Sequence, residues 1–210
     1  MTINKNNLIE ITGNLKSFKN TNLMIVTKNQ EIQDIKSLLT EGFRLFGENR
    51  VQEAKQKYED LRNYENFGLH LIGPLQTNKV KIALKIFDAI QTLDRYALVD
   101  EVCKVLSKNS CRTKEFYIQV NIGDENQKSG VTVQGLSDLY NYSLKKQLNI
   151  VGLMCIPPNV DDPSSYFERM KIIRDKINKK LNLSMGMSSD YKIALNYDSD
   201  IIRIGSLIFS

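Results

Sequence analysis

The sequence predicts an α/β fold, a (β/α)8 TIM barrel formed as a single domain over residues 1–210, and three observations predict it. Short apolar runs alternate with amphipathic stretches of helical spacing along the whole chain. Successive runs are separated by roughly twenty to thirty residues, the length of one parallel βα unit. Eight such runs are found, the number at which βα units close into a barrel. An open doubly wound sheet is the competing architecture. No linker or low-complexity stretch interrupts the pattern, and 210 residues suit one large domain.

In chain order, a helix is predicted around Leu8 to Phe18, followed by a strand at Leu23 to Lys28, LMIVTK. Such a run of apolar and β-branched residues is how a strand covered on both faces reads. Ile32, Ile35, Leu38 and Leu39 then fall at helical spacing, with Gly42 as the stop. Phe43 to Phe46 is the second strand, and Val51, Ala54, Tyr58 and Leu61 mark the next helix. Leu69–Ile72, Ala89–Leu93 and Phe116–Ile122 read as strands three to five, separated by helices at Val80–Phe87 and Tyr96–Leu106. Val133 to Leu144 supplies a helix and Ile150 to Met154 the sixth strand. Ser165, three residues before Glu168, reads as a capping box opening a helix striped by Tyr166, Met170, Ile173 and Ile177. Leu183 to Met185, the SSDYKIALN stretch and Ile201 to Ile204 complete the alternation as strand, helix and strand.

Composition narrows the function classes. With 41% hydrophobic and 25% charged residues the chain can bury a core. The net charge of +5 raises a nucleic-acid reading, but the basic pairs Lys145–Lys146 and Lys179–Lys180 are isolated in helical patterns and no nucleic-acid-binding signature accompanies them. They read as solvated helix faces. Cys103, Cys111 and Cys155 are odd in number and lack CxxC spacing, which argues against a disulfide framework or a zinc site and for reducing cytoplasm. The amino terminus has no apolar signal core and no stretch is long enough to span a membrane, so a cytoplasmic location without membrane contact is expected. His70 is the only histidine, which excludes multi-histidine metal sites.

Barrels of this kind place chemistry at the carboxyl ends of their strands, so the residues just after each strand are the candidates. Lys28 follows strand one, Glu48 and Asn49 strand two, and Gly73, Gln76 and Asn78 strand three. Asp94, Asn121, and Pro157 with Pro158 follow strands four to six. Gly186, Ser188 and Ser189 follow strand seven, and strand eight carries Arg203 and Gly205. A lysine at a strand exit in a sheltered mouth loses hydration, which lowers its pKa and makes it a nucleophile; its bland alternative is a lysine pointing to solvent. Glycine permits close backbone approach and serines at a helix start present hydroxyls and unpaired amides, a phosphate seat that Arg203 and Gly205 would complete. The bland alternative for Ser188–Ser189 is an ordinary helix cap. An amine facing a phosphate seat suits a phosphorylated carbonyl compound held as a Schiff base. Both a sugar phosphate and pyridoxal 5′-phosphate (PLP) satisfy that description.

Seven motifs, each at a strand end, then carry a resemblance. VTK ending at Lys28, FGENRVQEA at Phe46–Ala54, HLIGPLQTNK at His70–Lys79, QVNIGDENQKSGV at Gln119–Val131, GLMCIPP at Gly152–Pro158, LSMGMSSD at Leu183–Asp190 and IRIGSLIF at Ile202–Phe209 together resemble the pyridoxal phosphate homeostasis protein family. The match runs in order over nearly the whole chain. The family resembles the barrel domain of alanine racemase and ornithine decarboxylase without their second, β-rich domain.

The resemblance implies a PLP-binding protein of intracellular PLP and amino-acid homeostasis, not an enzyme, with a small PLP-dependent amino-acid racemase as the alternative. It implies that Lys28 holds the cofactor as a covalent Schiff base. Ser188, Ser189, Arg203 and Gly205 would hold the phosphate or the pyridine edge, and Asn49, His70 and Met154 would line the ring pocket. An arginine beside the ring nitrogen would make the cofactor a poorer electron sink. Without the second domain, a second acid/base residue for racemisation is expected to be missing, and so is the usual dimer interface, which favours a monomer. PLP-dependent apoenzymes are the partners such a role suggests. The sequence departs from the family at Gln91, where a histidine is usual, and at Asp198, Ser199 and Asp200, where a Gly-Ser-Thr run is usual. These two acids are expected to face solvent on the amino-terminal face of the barrel, away from any phosphate.

Overall fold

The computed structural model describes residues 3–63 and 66–209. Eight parallel strands close into a barrel in sequence order: β1 (Asn22–Val26), β2 (Leu45–Glu48), β3 (Gly68–Leu71), β4 (Ala89–Leu93), β5 (Glu115–Val120), β6 (Ile150–Cys155), β7 (Asn182–Ser184) and β8 (Ile201–Ile204). Closure is made where β8 pairs with β1 in parallel, from Asn22 opposite Ile201 to Ile25 opposite Ile204. The open doubly wound alternative is thereby overturned.

Helix α1 (Lys5–Leu15) precedes β1, and α2 (Ile32–Thr40), α3 (Val51–Tyr58), α4 (Val80–Ile86), α5 (Tyr96–Leu106), α6 (Leu136–Lys145), α7 (Ser164–Ile177) and α8 (Tyr191–Leu195) each follow one strand. The Asn4 N–H donates to Ile208 O, and Asn7 Nδ2 donates to Leu207 O, so α1 is pinned to the segment after β8. Among the described residues, no helix is long and apolar enough to cross a membrane.

The period-2 alternation of the strands sorts side chains into two shells. Ile25, Phe46, Leu69, Ile90, Ile118, Leu153 and Ile202 point outward into the layer under the helices. Met24, Ala89, Tyr117, Met154 and Ile201 point inward and fill the lumen. On this count Val26 and then Lys28 continue the inward series of β1, which aims the lysine at the carboxyl-end mouth.

Element boundaries differ from the sequence reading where a local feature overrides the pattern. The first strand ends at Val26, and Lys28 and Asn29 form a turn in which Asn29 has φ +60. The capping box at Ser165 does not form: α7 starts at Ser164, Pro163 stands at the cap, and Asp162 Oδ1 accepts the Ser164 N–H instead. Proline with its fixed φ starts the helix one position early and places Ser165 inside it. The helix expected over SSDYKIALN is only the five residues of α8.

Candidate functional site

A cavity of about 540 Å³ opens at the carboxyl ends of the strands, and Lys28, Asn49, Ser188, Ser189, Arg203 and Gly205 all line it. The mouth therefore gathers six of the eight site residues expected from the sequence. Val26, Ile72, Ile156, Met187 and Phe209 supply an apolar wall. Lys28 is exposed at the rim, not sheltered, because it stands two residues beyond the end of β1. Its ammonium makes no ion pair or hydrogen bond with any described residue.

The loop after β7 is built for close approach. Gly186 has φ +94, and a Cβ there would lie 2.7 Å from the Ala194 Cβ, so only glycine fits the turn under α8. Asp190 Oδ1 accepts the Met187 N–H, and the N–H groups of Asp190 and Tyr191 return to Met187 O. The N–H groups of Ser188 and Ser189 are left without a described acceptor, as is that of Ser206 beyond β8. The serines thus sit in a turn before a short helix instead of capping a long one. At Gly205 a Cβ would lie 3.1 Å from Val26 O, which brings the end of β8 against the strand that leads to Lys28.

Arg203 is 3% exposed and points inward from β8. Nη1 donates to Ser184 Oγ at 3.0 Å and Nη2 to Cys155 O at 2.8 Å. Burial pulls its guanidinium below the ordinary value, and among the described residues no carboxylate forms a salt bridge with it. Asn49 contributes a buried Oδ1 with no hydrogen-bond partner, a rare state that points to a missing donor. The loops approach so closely here that a Cβ on Gly73 would overlap the Asn49 carbonyl.

Two expected residues are not brought to this cavity. Met154 is fully buried in the lumen among Met24, Ala89, Tyr117 and Ile201. His70 lines a different cavity, of about 550 Å³, at the opposite mouth, with Arg44, Tyr117, Asn182 and Asp200. Both lie on the inward face of their strands, but too far toward the amino-terminal end to reach the site. His70 Nδ1 lies 2.9 Å from Gln91 Nε2, and Gln91 Oε1 accepts from Ser184 Oγ at 2.6 Å. Because the Gln91 oxygen is taken, its amide donates to Nδ1 and the His70 proton resides on Nε2. Burial lowers the His70 pKa to about 4, partly offset by Asp88. The chain His70–Gln91–Ser184–Arg203 thus runs up the lumen and ends at the cavity.

The acids near β8 lie on the amino-terminal face, as expected, but only Asp198 faces solvent. Asp200 is half-buried, and its Oδ2 accepts the Leu183 N–H at 2.7 Å, because β7 needs a partner for its second amide. Other strand-end candidates serve the loops: Asp94 pairs with Arg95, and Asn121 brackets Glu125 through two hydrogen bonds. Sequence reasoning missed Ser184 and Ser206; it singled out Gln91 only as a departure from the family and Glu48 only as a strand-end candidate, without the group of Thr27, Tyr58 and Lys57 that Glu48 joins on the outward side. A carboxylate at an outward position of a buried strand was the available signal for the last group. Among the described residues, no group of three His, Cys, Asp or Glu side chains could hold a metal ion.

The family profile of the alanine racemase N-terminal domain matches residues 4–210. A pyridoxal phosphate homeostasis protein of Aquifex aeolicus is 40% identical over 177 residues, covering 80% of this chain and 77% of the relative. One of Synechocystis is 35% identical over 199 residues, covering 89% of each. PipY of Synechococcus elongatus, solved with PLP bound, superposes with a TM-score of 0.80 at 29% identity over 95% of this chain and all of that one. Alanine racemase of Oenococcus oeni has a TM-score of 0.75 at 15% identity over 99% of this chain and 63% of its own, a likeness of fold alone.

Proposed function

This chain belongs to the alanine racemase N-terminal domain family and, within it, to the pyridoxal phosphate homeostasis proteins, and from that membership we propose that it binds PLP as a Schiff base on Lys28. The observation that carries the reading is the composition of the mouth. Among the described residues, an amine without an ion pair, a buried arginine without a salt bridge and the N–H groups of Ser188, Ser189 and Ser206 without acceptors converge on one cavity with an apolar wall. The amine suits an aldehyde, the N–H groups a phosphate dianion, the arginine the anionic edge of the ligand and the apolar wall a flat ring. The orphaned Asn49 Oδ1 supplies an acceptor for a ring hydroxyl. Ser188, Ser189, Ser206 and Gly205 would hold the phosphate, and Arg203 the anionic edge of the ligand. When bound, PLP supplies an electrophilic aldehyde carbon and an electron-withdrawing ring.

The protein's part is to attach and release. Lys28 Nζ would hold the aldehyde end of the cofactor as a Schiff base, while the serine and Gly205 backbone would hold its phosphate. Among the described residues, Lys28 and Arg203 are the only ionisable side chains on the cavity wall, and Arg203 is committed to Ser184 and Cys155. A second group able to carry a proton to the far side of a bound amino acid is therefore lacking on that wall, which favours holding the cofactor over two-base turnover. The relatives named pyridoxal phosphate homeostasis proteins support a role in keeping PLP levels, which we extend to amino-acid levels.

The test is spectroscopic. Purified protein mixed with PLP is expected to gain a visible absorption band that borohydride abolishes, with the reduced adduct mapped to Lys28. Lys28→Ala is expected to lose all borohydride-fixable PLP. An adduct of unchanged stoichiometry in that variant would overturn the assignment.

A further inference from the structure

Behind the turn that carries Lys28, on the outward side of the barrel, lies a cluster of buried charge that does not line the cavity. Lys57 on α3 donates from Nζ to Thr27 O at 2.7 Å, to Glu48 Oε1 at 3.2 Å and to Glu53 Oε1 at 2.5 Å, so three acceptors meet the three N–H groups of one ammonium. Thr27 Oγ1 donates to Glu48 Oε1 at 2.8 Å, which leaves Tyr58 OH, 2.6 Å away, as the donor to Thr27. Burial pushes the Tyr58 hydroxyl well above its ordinary pKa, keeping that donor proton in place. On the other flank of Lys28, Glu53 Oε1 accepts the Asn29 N–H at 2.6 Å.

The expense of this arrangement is telling. The Glu48 side chain is 0% exposed and that of Lys57 13% exposed, and Glu48 Oε2 has no hydrogen-bond partner among the described residues. Burial raises the Glu48 carboxyl pKa against the pull of Lys57. Buried ion pairs of this kind are seldom more stable than an apolar cluster of the same volume. Here their hydrogen bonds converge on the residues on either side of Lys28: the carbonyl and hydroxyl of Thr27 and the amide of Asn29. The Gln30 N–H closes the same turn onto Thr27 O, and Asn29 is held at φ +60, so the backbone of Lys28 is fixed at both ends although its side chain is exposed.

We propose that Lys57 and Glu53, braced by Glu48, are positioning residues for Lys28: they lock the turn Thr27–Gln30 so that an amine at an exposed rim is held aimed into the cavity. The inference rests on the reading that Lys28 carries the ligand. An amine on a rigid backbone attacks from a narrow set of approaches, whereas the same lysine on a loose turn spends most of its time elsewhere.

The experiment compares wild type with Glu53→Ala, Glu53→Gln and the double variant Glu48→Gln/Lys57→Met, which removes the ammonium without stranding a buried carboxylate. Two quantities are read: amide hydrogen exchange at Asn29 in ligand-free protein, and the second-order rate of PLP attachment trapped by borohydride. Glu53→Ala is expected to speed both the exchange and the loss of order at the turn, and to slow attachment at least tenfold, with the thermal midpoint within a few degrees of wild type. The double variant is expected to slow attachment as much. Glu53→Gln, whose amide oxygen accepts the same bond, is expected to restore both quantities to within about threefold of wild type. Attachment within twofold of wild type in a folded Glu53→Ala protein would overturn the proposal, and so would failure of Glu53→Gln to rescue. If wild type itself attaches no PLP at Lys28, the functional reading fails, and the exchange data still report whether the clamp holds the turn.

Discussion

The two mouths of the barrel hold cavities of nearly the same size, about 540 Å³ at the carboxyl ends and about 550 Å³ at the amino ends, yet they differ in how their polar groups are employed. At the amino-end mouth the buried and half-buried groups nearest the lumen are largely taken. Arg44 Nη1 donates to Leu39 O and Phe43 O, Asp200 Oδ2 accepts the Leu183 N–H, and His70 Nδ1 accepts from Gln91. At the carboxyl-end mouth, the Lys28 ammonium, Asn49 Oδ1 and the N–H groups of Ser188, Ser189 and Ser206 have no partner among the described residues. A folded chain satisfies its polar groups unless something outside it will do so, which makes unspent hydrogen-bonding capacity a better guide to a site than volume.

His70 and Arg203, at the two ends of the same lumen chain, give the sharpest contrast. The folded-state pKa of His70, about 4, lies below its ordinary 6.5, so the unfolded chain takes up this proton first. The stability tied to neutral His70 is therefore whole above pH 6.5, drains as pH falls toward about 4, and changes no further below that. The span corresponds to about 3 kcal/mol. Urea denaturation of wild type against His70→Gln across that window should show the wild type losing this much more than the variant. Affinity for PLP at neutral pH should be the same in both, since His70 does not line the site; a tenfold loss of affinity in His70→Gln would break the distinction between the mouths.

Arg203→Met is expected to do the reverse. The guanidinium is buried with two neutral partners and no salt bridge, so its removal relieves a desolvated charge while leaving Cys155 O without a donor. These effects oppose one another, and the thermal midpoint should move by only a few degrees. Affinity for PLP should fall by roughly ten- to a hundredfold, the worth of a charge-assisted contact of about 1.5–3 kcal/mol. Equilibrium titration by absorbance measures it. Unchanged affinity would place Arg203 among the structural groups of the lumen.

Much of this could be read from the residues alone, and the parts that could not share one cause. The barrel followed from the alternation of LMIVTK-like runs with helical stripes, because periodicity records which face of each element is buried. Lys28, Asn49, Ser188, Ser189, Arg203 and Gly205 followed from the rule that strand ends converge on one mouth. His70 and Met154 do not line the carboxyl-end cavity because a motif fixes the strand but not the height along it: both point inward, His70 onto the amino-end cavity and Met154 into the lumen. The Lys57 clamp and the Gln91–Ser184 relay were illegible because their members come from separate elements and meet only after the barrel closes. The Glu53–Lys57 spacing was visible, but an i,i+4 pair on a helix usually lies in solvent, and only the closed fold tucks it against Thr27.

The smallest expected effect tests the acidic stretch after α8. Asp198 stands at φ +60, 57% exposed, 2.8 Å from Lys171 and 3.7 Å from Arg174. Exposed pairs of this kind contribute less than about 1 kcal/mol, and asparagine tolerates the left-handed backbone as readily as aspartate does. Asp198→Asn should therefore shift stability by at most about 0.5 kcal/mol and leave PLP affinity within twofold of wild type, as read by urea denaturation and absorbance titration in parallel. A gain in affinity of tenfold or more would mean that this charge reaches the phosphate seat through the barrel. Asp198 would then count with the unspent groups of the carboxyl-end mouth despite lying at the other face, and separating the mouths by their local hydrogen bonding would fail, since long-range charge would be setting the site's preference for an anion.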